Sequence, residues 1–327
     1  MKIAFYSGKM GQKHASRIIE LLKKYVPHHQ YNHYALGDKP DLWHCLVPHK
    51  SLNFIGNIPR SVVTMSDLRF VTTPHLFSFG ERIFTLPLYR YHCRHAAKLI
   101  AHNSQDKRRL LDCLGVDDQR VEICPSLQTI SCDCIDHTPT SDEMLEVRAK
   151  FELPETYVLV MGEADTMHDH GVIIHAILSL PINLNIVVST RRTTHSDVLL
   201  RMARDVGAAS RVQFIYEMDG PDRCSLYRMA LVMIYMPAVE STVAPIIEAL
   251  HQGVPMILSD MALNRETAGA AAKYVPSHDQ QAVAAAIKAI IYSESFRGQL
   301  IAQCWAEAKR YSKESIAEQL AKIYESV

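Results

Sequence analysis

The stretch MPAVESTVAPIIEALHQGVPMILSD, residues 236–260, decides how the chain folds. It overlaps the end of a continuously apolar run, ALVMIYM (230–236), which is typical of a strand buried on both faces of a sheet. Pro245 suits the first turn of a helix, where its missing N–H is not needed. A second apolar run, VPMILS (254–259), follows that helix. The order strand, helix, strand with short connections predicts a parallel, doubly wound α/β sheet.

The same alternation of short apolar strands and amphipathic helices extends through most of the chain. The earlier strand segments are KIAFY (2–6), DLWHCLV (41–47), SVVTM (61–65), KLIAH (98–102) and RVEIC (120–124). The later ones are YVLVMG (157–162), LNIVVS (184–189) and RVQFIY (211–216). Between them, residues 125–145 are rich in Ser, Thr, Asp and Pro and lose the periodicity, which predicts a linker. We therefore expect two Rossmann-like domains, the first in residues 1–140, that face each other across a cleft.

Composition and charge narrow the class of protein. The chain has 327 residues, of which 48% are hydrophobic and 21% are charged, as in ordinary globular proteins. No apolar run approaches the roughly 18 residues of a membrane span, and the start MKIAFYSGKMG is too short and polar for a signal peptide. We expect a soluble, cytoplasmic protein. Residues 1–140 carry 18 basic and 12 acidic side chains. This excess suits an anionic acceptor or the inner face of the membrane, or is a solvated basic surface.

Cysteine and histidine spacing predicts no metal site. The eight cysteines include no Cys-x-x-Cys pair, and in a chain without an export signal they are expected to be free thiols. The seventeen histidines include the groups HCRH (92–95) and HDH (168–170), but no nearby carboxylate or cysteine completes a ligand set. Solvated or cleft-lining histidines are the preferred interpretation.

Two carboxylates, Glu240 and Glu248, flank the predicted helix start. Glu240 falls just past the carboxyl end of a strand, where open α/β sheets bind ligands. The amides of Thr242, Val243 and Ala244 lie at the positive end of the helix, which suits a phosphate. Glu248, about one turn further, can accept the hydroxyl hydrogen bonds of a diol such as ribose. The spacing equally fits a dipole-stabilised glutamate beside a solvated loop glutamate.

These residues resemble a known family, the retaining glycosyltransferases of family four, also called group 1, which have the GT-B fold. The family pattern is Glu-Gly-Phe-Gly-x-x-x-x-Glu-Ala-x-x-x-Gly-x-Pro-Val-Ile-x-Ser, then Pro-Glu-x-x-Gly. Here it corresponds to Glu240 to Glu248, ALHQGVPMILSD and RETAGAAAKYVPSHD. PRSVVTMSDLRF resembles the family's Thr-x-His-Asp-Leu strand end. AAKLIAHNSQDKRRLLDCLGVDDQRVEICPS is similar to its ADLVIAVSEFTKRDLIELLG segment, and YVLVMGEAD to the opening of its second domain.

The resemblance implies roles for residues in the carboxyl-terminal half. Glu240 would approach the donor sugar, Glu248 would bind the nucleotide ribose, and the amides of 242–244 would hold the diphosphate. In this family the last helix crosses back to the first domain. We therefore expect a nucleotide-sugar domain in 141–311 and a helix in 312–327 that packs on the first domain.

The resemblance also implies roles in the amino-terminal half. Asp67 would share the catalytic role with Glu240. The turn SGKMGQ would place Gly8 and Gly11 in a loop that lets substrate approach the backbone. Ser66 and His44 would belong to the acceptor side of the cleft.

The chain departs from the family in groups that normally offset the charge of the leaving diphosphate. The family has a histidine where this chain has Ser66, and Gly-Phe-Gly is replaced by Ser-Thr-Val. Instead of an Arg/Lys pair after the second domain's first strand, MGEADTMHDHG offers Met167 and His168. Arg191 and Arg192, after the next strand, are candidates to replace that pair.

The resemblance predicts transfer of a hexose from a nucleotide-diphosphate sugar to a hydroxyl acceptor, with retention of anomeric configuration. The acceptor would be a glycan, a lipid-linked molecule or another hydroxyl compound in bacterial glycan synthesis. GT-B enzymes generally need no metal or other cofactor, the sequence has no Asp-x-Asp, and no nucleic-acid partner is expected. A non-catalytic GT-B-like subunit that binds a sugar or a partner is the alternative. A dinucleotide-dependent oxidoreductase ranks third, because no Gly-x-Gly-x-x-Gly follows a strand.

Overall fold

The computed structural model describes residues 1–8, 11–35, 39–48, 60–65, 68, 79–125, 133–218, 220–238 and 242–327. The chain divides into two compact units. The first contains Met1–Ser131 and Arg310–Val327, and the second contains Cys132–Lys309. The boundaries expected from the sequence were 140/141 and 311/312, whereas the two compact units meet at 131/132 and 309/310.

Strands and helices alternate along the described ranges. The strands of the first unit are β1 (Lys2–Tyr6), β2 (Gln30–His33), β3 (Leu42–Cys45), β4 (Ser61–Thr64), β5 (Lys98–Ala101) and β6 (Val121–Ile123). Those of the second unit are β7 (Tyr157–Met161), β8 (Asn185–Thr190), β9 (Val212–Tyr216), β10 (Val232–Tyr235), β11 (Met256–Ser259) and β12 (Ala272–Val275).

The first unit's helices are α1 (Gln12–Tyr25), α2 (Phe79–His95) and α3 (Ser104–Leu114). The second unit's helices are α4 (Ser141–Lys150), α5 (His170–Ala176), α6 (Thr194–Asp205), α7 (Gly220–Met229), α8 (Ala244–Gln252), α9 (Ala262–Ala268), α10 (Gln280–Tyr292) and α11 (Glu294–Ala308). The last helix, α12 (Lys313–Glu325), returns to the first unit.

Each unit is built around one parallel sheet. Within the described ranges, each sheet has six strands, ordered β2-β1-β3-β4-β5-β6 in the first unit and β12-β11-β10-β7-β8-β9 in the second. In the second sheet the chain order reverses between β7 and β10, which lie side by side. A reversal of this kind leaves a crevice at the carboxyl ends of the two strands, where open α/β sheets bind ligands.

The core of the first unit includes the last helix. Ile18 and Leu22 of α1 belong to the same buried apolar cluster as Ile316, Leu320 and Tyr324 of α12. The side chains that α12 buries recur with helical spacing, which gives this helix one apolar face. Burial of that face against α1 stabilises α12 as part of the first unit.

Local sequence signals fix α8, the helix next to the strand reversal. Pro245 occupies the first turn, as the sequence predicted, and Gly253 ends the helix in the left-handed conformation at φ +64°. A Cβ at Gly253 would collide with the ring of Trp305. The position therefore requires glycine both for its backbone conformation and for the close approach of α11.

The predicted linker, residues 125–145, already contains structure. Helix α4 begins at Ser141, because Thr140 and Glu143 form a capping box in which each side chain accepts a hydrogen bond from the other's backbone N–H. Before it, the side chain of Gln252 donates to the carbonyl oxygens of Cys134 and His137, at 2.8 Å each. These two hydrogen bonds attach the described part of the linker, from residue 133 onwards, to α8.

Two negative findings complete the fold. No helix within the described ranges is long and apolar enough to span a bilayer. The described cysteines, which exclude Cys132, form no disulfide.

Candidate functional site

A cavity of about 740 Å³ opens at the carboxyl-terminal edge of the second sheet. Its walls come from the ends of β7, β8, β9 and β10 and from the first turns of α7 and α8. It therefore lies at the reversal between β7 and β10, the expected ligand position of an open α/β sheet. Among the described residues, the acidic and basic side chains that line it are Glu163, His168, Arg191, Glu217, Arg223 and Glu248.

Glu248 is a buried carboxylate in this cavity. It lies on the second turn of α8, and its Oε1 is 3.2 Å from Nη2 of Arg223 on α7. The side chain of Glu248 is 7% exposed and that of Arg223 is 29% exposed. A carboxylate removed from water in this way requires a compensating cation and hydrogen-bond donors, and Arg223 supplies both.

A tyrosine of α7 and a tyrosine of β10 form hydrogen bonds with the amino-terminal end of α8. The hydroxyl of Tyr227 donates to the carbonyl of Pro245 at 3.3 Å, and that of Tyr235 donates to the carbonyl of Thr242 at 2.8 Å. Burial and the neighbouring Glu248 carboxylate raise the pKa of Tyr227 well above its ordinary value. The phenol therefore stays protonated and remains a donor beside Glu248.

His168 belongs to the same cavity, and the backbone around it is unusual. Its Nδ1 lies 2.8 Å from Oδ1 of Asp165. Gly162, at the end of β7, has φ +122°, and a Cβ there would lie 2.7 Å from the His168 ring. The amide of Ala238 donates to the carbonyl of Met167 at 2.7 Å. These contacts tie the loop after β7 to the segment that leads towards Glu240.

His170 lies behind His168 and is a neutral group of the interior. Burial, with a smaller contribution from His168, lowers the pKa of His170 to about 4. Hydrogen bonds from His168 and from the Met167 amide outweigh the effect of burial and leave the pKa of Asp165 below its ordinary value. Of the HDH group, His168 is therefore the histidine that lines the cavity, with an ionised partner behind it.

The two arginines predicted to replace the missing basic pair occupy different environments. Arg191 lines the cavity and is 79% exposed, with Nε 3.4 Å from Oε1 of Glu163. The guanidinium of Arg192 lies over the ring of Tyr216, 5.8 Å from its centre, and Arg192 does not line the cavity. Of the two arginines, Arg191 is therefore the better placed to replace the missing basic pair at the cavity.

The remaining predicted residues lie in the first unit or outside the described ranges. Glu240, Ser66 and Asp67 fall outside the described residues. Gly8, at φ +61°, lines a separate cavity of about 260 Å³ in the first unit. Gly11 caps α1, and a Cβ there would lie 3.0 Å from that of Ser7, so the close approach that glycine allows is internal to the unit.

His44 is a core residue rather than a group on a ligand-facing surface. It is fully buried, with Nδ1 2.8 Å from the Tyr324 hydroxyl and Nε2 2.8 Å from the Thr64 hydroxyl. Burial, with a smaller contribution from His14, lowers its pKa to about 3. This placement differs from the expected acceptor-side position, because both ring nitrogens are used inside the unit.

Sequence reasoning missed several cavity residues. Arg223 and Tyr227 are four residues apart on α7, a spacing that puts two side chains on one helix face. Only the packing of α7 on α8 shows that this face meets Glu248. Glu217 follows β9 with φ +52°, a backbone conformation uncommon for a residue with a side chain. No local sequence pattern marks Arg223, Tyr227 or Glu217 as a residue of the cavity.

Comparison with known proteins adds independent information. Residues 143–304 match the family model described as Glycosyl transferases group 1. The chain is 28% identical over 273 residues to O-antigen chain mannosyltransferase B of Escherichia coli, covering 78% of this chain and 70% of that protein. It is 22% identical over 235 residues to O-antigen chain mannosyltransferase RfbU of Salmonella typhimurium, covering 71% of this chain and 61% of that protein.

Solved structures show the same fold. Anabaena Alr3699/HepE in complex with UDP superposes with a TM-score of 0.74 at 16% identity, over 100% of both chains. A glycosyltransferase from Rickettsia africae superposes with a TM-score of 0.75 at 12% identity, over 99% of this chain and 98% of that chain. The predicted GT-B fold with two Rossmann-like units is confirmed.

Proposed function

We propose that this chain, which belongs to the group 1 glycosyl transferases, transfers a hexose from a nucleotide-diphosphate donor to a hydroxyl acceptor with retention of configuration. That it is a glycosyltransferase follows from the family; the sugar, the stereochemistry and the residues that act are the proposal. Mannose is the first hexose to test, because both curated relatives are named mannosyltransferases. The observation that carries the proposal is the buried Glu248 carboxylate beside the amino-terminal end of α8, inside the cavity at the strand reversal.

Glu248 is proposed to bind the ribose. An ionised carboxylate offers about four acceptor sites, so it can accept hydrogen bonds from two ribose hydroxyls while Arg223 remains in contact. Because the site is buried, these hydrogen bonds face little competition from water. Arg223 acts through Glu248, holding the carboxylate in position by the ion pair.

The amino-terminal end of α8 is proposed to bind the diphosphate. It combines the positive end of the helix dipole with the backbone N–H groups of Thr242 and Ala244, two residues that line the cavity. The amide of Ala244 donates to the hydroxyl oxygen of Thr242 at 3.2 Å. If the Thr242 side chain rotates away, both its hydroxyl and this amide become donors to a phosphate oxygen.

Arg191 and His168 are proposed to offset the charge that develops on the leaving diphosphate. The ion pair of Arg191 with Glu163 is largely exposed, so releasing it costs about 1 kcal/mol or less. His168, held by Asp165, presents its other edge towards Gly162 and the cavity. A guanidinium can contact two phosphate oxygens at once, which favours Arg191 as the main contact.

The proposed reaction is a front-face displacement. The acceptor oxygen forms a bond to the anomeric carbon as the bond from that carbon to the phosphate oxygen breaks. The proton of the acceptor hydroxyl passes to the leaving phosphate. The enzyme then has to orient the two substrates and stabilise the charge on sugar and diphosphate. The family resemblance assigns Glu240 to the sugar and Asp67 to catalysis, and both assignments remain predictions.

A non-catalytic sugar-binding subunit is the second candidate, because three carboxylates share the cavity. Glu163, Glu217 and Glu248 line it together with two arginines, so its charge favours a diphosphate less than a basic pocket would. Incubation with GDP-mannose and related nucleotide-sugars separates the two candidates. Binding followed by release of nucleoside diphosphate supports the enzyme, and NMR of the product tests retention. Binding without turnover, with acceptor or with water, would support the subunit.

A further inference from the structure

Two histidines and one glutamate of the first unit converge at a single point, far from the cavity residues in sequence. His28 and His29 lie in the connection between α1 and β2, and Glu325 is the last residue of α12. Oε1 of Glu325 is 3.2 Å from Nε2 of His28 and 3.3 Å from Nε2 of His29. Within the described part of the chain, this is the group whose nitrogen and oxygen atoms lie close enough together, within 4.8 Å, to share a metal ion.

The separations match the edges of a tetrahedral zinc site. Ligands bound to Zn²⁺ at about 2.0–2.2 Å in a tetrahedron are about 3.3–3.6 Å apart, whereas N–H···O hydrogen bonds centre on about 2.9–3.0 Å. The two separations from Glu325 are longer than this hydrogen-bond centre and lie at the short end of the ligand spacing. The rings of His28 and His29 are 4.1 Å apart between centres and inclined by 64°, so they do not stack and both nitrogens reach the same oxygen.

The core of the unit holds these ligands in place. The side chain of Tyr31 packs beside His29, with ring centres 6.2 Å apart, and its hydroxyl donates to the carbonyl of Val26 at 3.0 Å. Glu325 follows Tyr324, which is fully buried and bonded to His44. A site whose backbone is already fixed loses little conformational entropy when a metal binds.

Access and ligand chemistry favour one class of ion. The His29 side chain is 8% exposed, but those of His28 and Glu325 are 59% and 50% exposed, so an ion and a water molecule can reach the cluster. Nδ1 of His29 faces the Met1 nitrogen at 3.3 Å, which leaves Nε2 as the nitrogen turned to Glu325. Imidazole and carboxylate together suit Zn²⁺ better than Mg²⁺ or Ca²⁺, which prefer oxygen ligands.

We propose that His28, His29 and Glu325 form a binding site for Zn²⁺, with water as the fourth ligand. The ion joins Glu325 to His28 and His29, which are 297 and 296 positions away in the sequence. It therefore links the end of the last helix to the connection between α1 and β2. Cross-links between residues so far apart restrict the unfolded chain strongly, so zinc stabilises the first unit. The site is independent of the proposed glycosyl transfer.

The test is calorimetric titration of ZnCl₂ into the EDTA-treated, full-length chain. A Cys113→Ser background removes an exposed thiol that would also bind zinc. We expect one equivalent to bind and the melting temperature to rise. Glu325→Gln keeps the size of the side chain but loses the ligand charge, and should weaken binding on the order of a hundredfold. His28→Asn should do the same. His95→Asn, an exposed histidine at the end of α2, should leave the affinity unchanged.

A spectroscopic measurement provides the second readout. Co²⁺ bound in place of Zn²⁺ should give the strong visible absorption of a four-coordinate ion, and zinc should displace it. Failure of the background protein to bind zinc would overturn the site. So would zinc binding of equal affinity in the Glu325→Gln and His28→Asn proteins, because the ion would then be held elsewhere.

Discussion

The guanidinium of Arg223 lies 3.2 Å from the carboxylate of Glu248, joining α7 to α8 at the wall of the cavity. Glu248 is proposed to bind the ribose, whereas sequence reasoning missed Arg223. Because the Glu248 side chain is almost wholly buried, the pair is more than a surface ion pair. It connects the stability of the second unit to the proposed binding of ribose.

Loss of the cation should therefore destabilise the protein. Arg223→Met leaves the Glu248 carboxylate buried without this cation, and the free energy of unfolding should fall by about 2 kcal/mol in urea titrations. The double variant Arg223→Met, Glu248→Gln should regain part of this loss, because no charge is then left unpaired. Arg265→Met, which breaks an exposed pair with Asp260, should lower the free energy of unfolding much less, because water screens that pair. Equal losses in Arg223→Met and Arg265→Met would show that burial does not strengthen the Arg223 pair.

Arg191 and Arg192 form a matched pair of test and control. Arg191 lines the cavity and Arg192 does not, although they are neighbours of equal charge. Arg191→Gln should reduce turnover roughly a hundredfold, the value of one lost contact of about 3 kcal/mol in the transition state. Arg192→Gln should leave turnover nearly unchanged. Equal effects of the two changes, measured as nucleoside diphosphate release, would remove the specific role of Arg191.

The close approach of His168 to Gly162 predicts strong intolerance of a side chain. Gly162→Ala forces a Cβ to within 2.7 Å of the His168 ring, at a φ of +122° that alanine rarely adopts. We expect the melting temperature to fall and donor binding to weaken. Gly298→Ala is the control, because it lies in α11 with open space around it and should stabilise the protein by about 0.5–1 kcal/mol. Similar melting temperatures for the two variants would contradict the packing at Gly162.

Stability should depend on pH through His44. Its folded-state pKa of about 3 is below the unfolded value near 6.5, so the unfolded chain binds more protons between these values. The contribution of neutral His44 is complete above pH 6.5 and is lost as the pH falls towards about 3. The free energy of unfolding should decrease by about 1.4 kcal/mol per pH unit from this residue over that window.

The measurement is urea titration between pH 7.5 and pH 4. In the His44→Gln variant the substituted side chain cannot titrate. The slope of its free energy of unfolding against pH should therefore be smaller by the contribution of one bound proton. His95→Asn changes an exposed histidine and should keep most of the wild-type slope. A slope that is the same in His44→Gln and in the wild type would mean that His44 is not buried in its neutral form.

The sequence predicted five of the six strands described in the second unit, because continuously apolar runs such as residues 230–236 have few alternatives to a buried parallel strand. It missed β12 (Ala272–Val275), in which only Val275 is buried. β2 was missed, since QYNH buries one side chain, Tyr31. The start of α4 was also missed, although the sequence from Thr140 to Glu143 carries a capping box. The capping-box pattern was present in the sequence, but the segment was interpreted as a linker because it lacks apolar periodicity.

The site was predictable only in part. Glu248 was singled out by a local pattern, a carboxylate about one turn into a helix after a buried strand, together with the family resemblance. The position of Arg223 depends on how α7 packs against α8, and His44 depends on the return of α12 to the first unit. Such contacts between distant segments leave no local pattern in one sequence.

Calorimetric titration of GDP and UDP into the wild type and Glu248→Gln tests the central claim most directly. The ribose role predicts that at least one nucleotide binds the wild type and that Glu248→Gln weakens it by about 2 kcal/mol, roughly thirtyfold, through lost charged hydrogen bonds. Glu146→Gln, on the exposed surface of α4, should bind as the wild type does. Unchanged affinity in Glu248→Gln, with the fold intact by circular dichroism, would contradict the account.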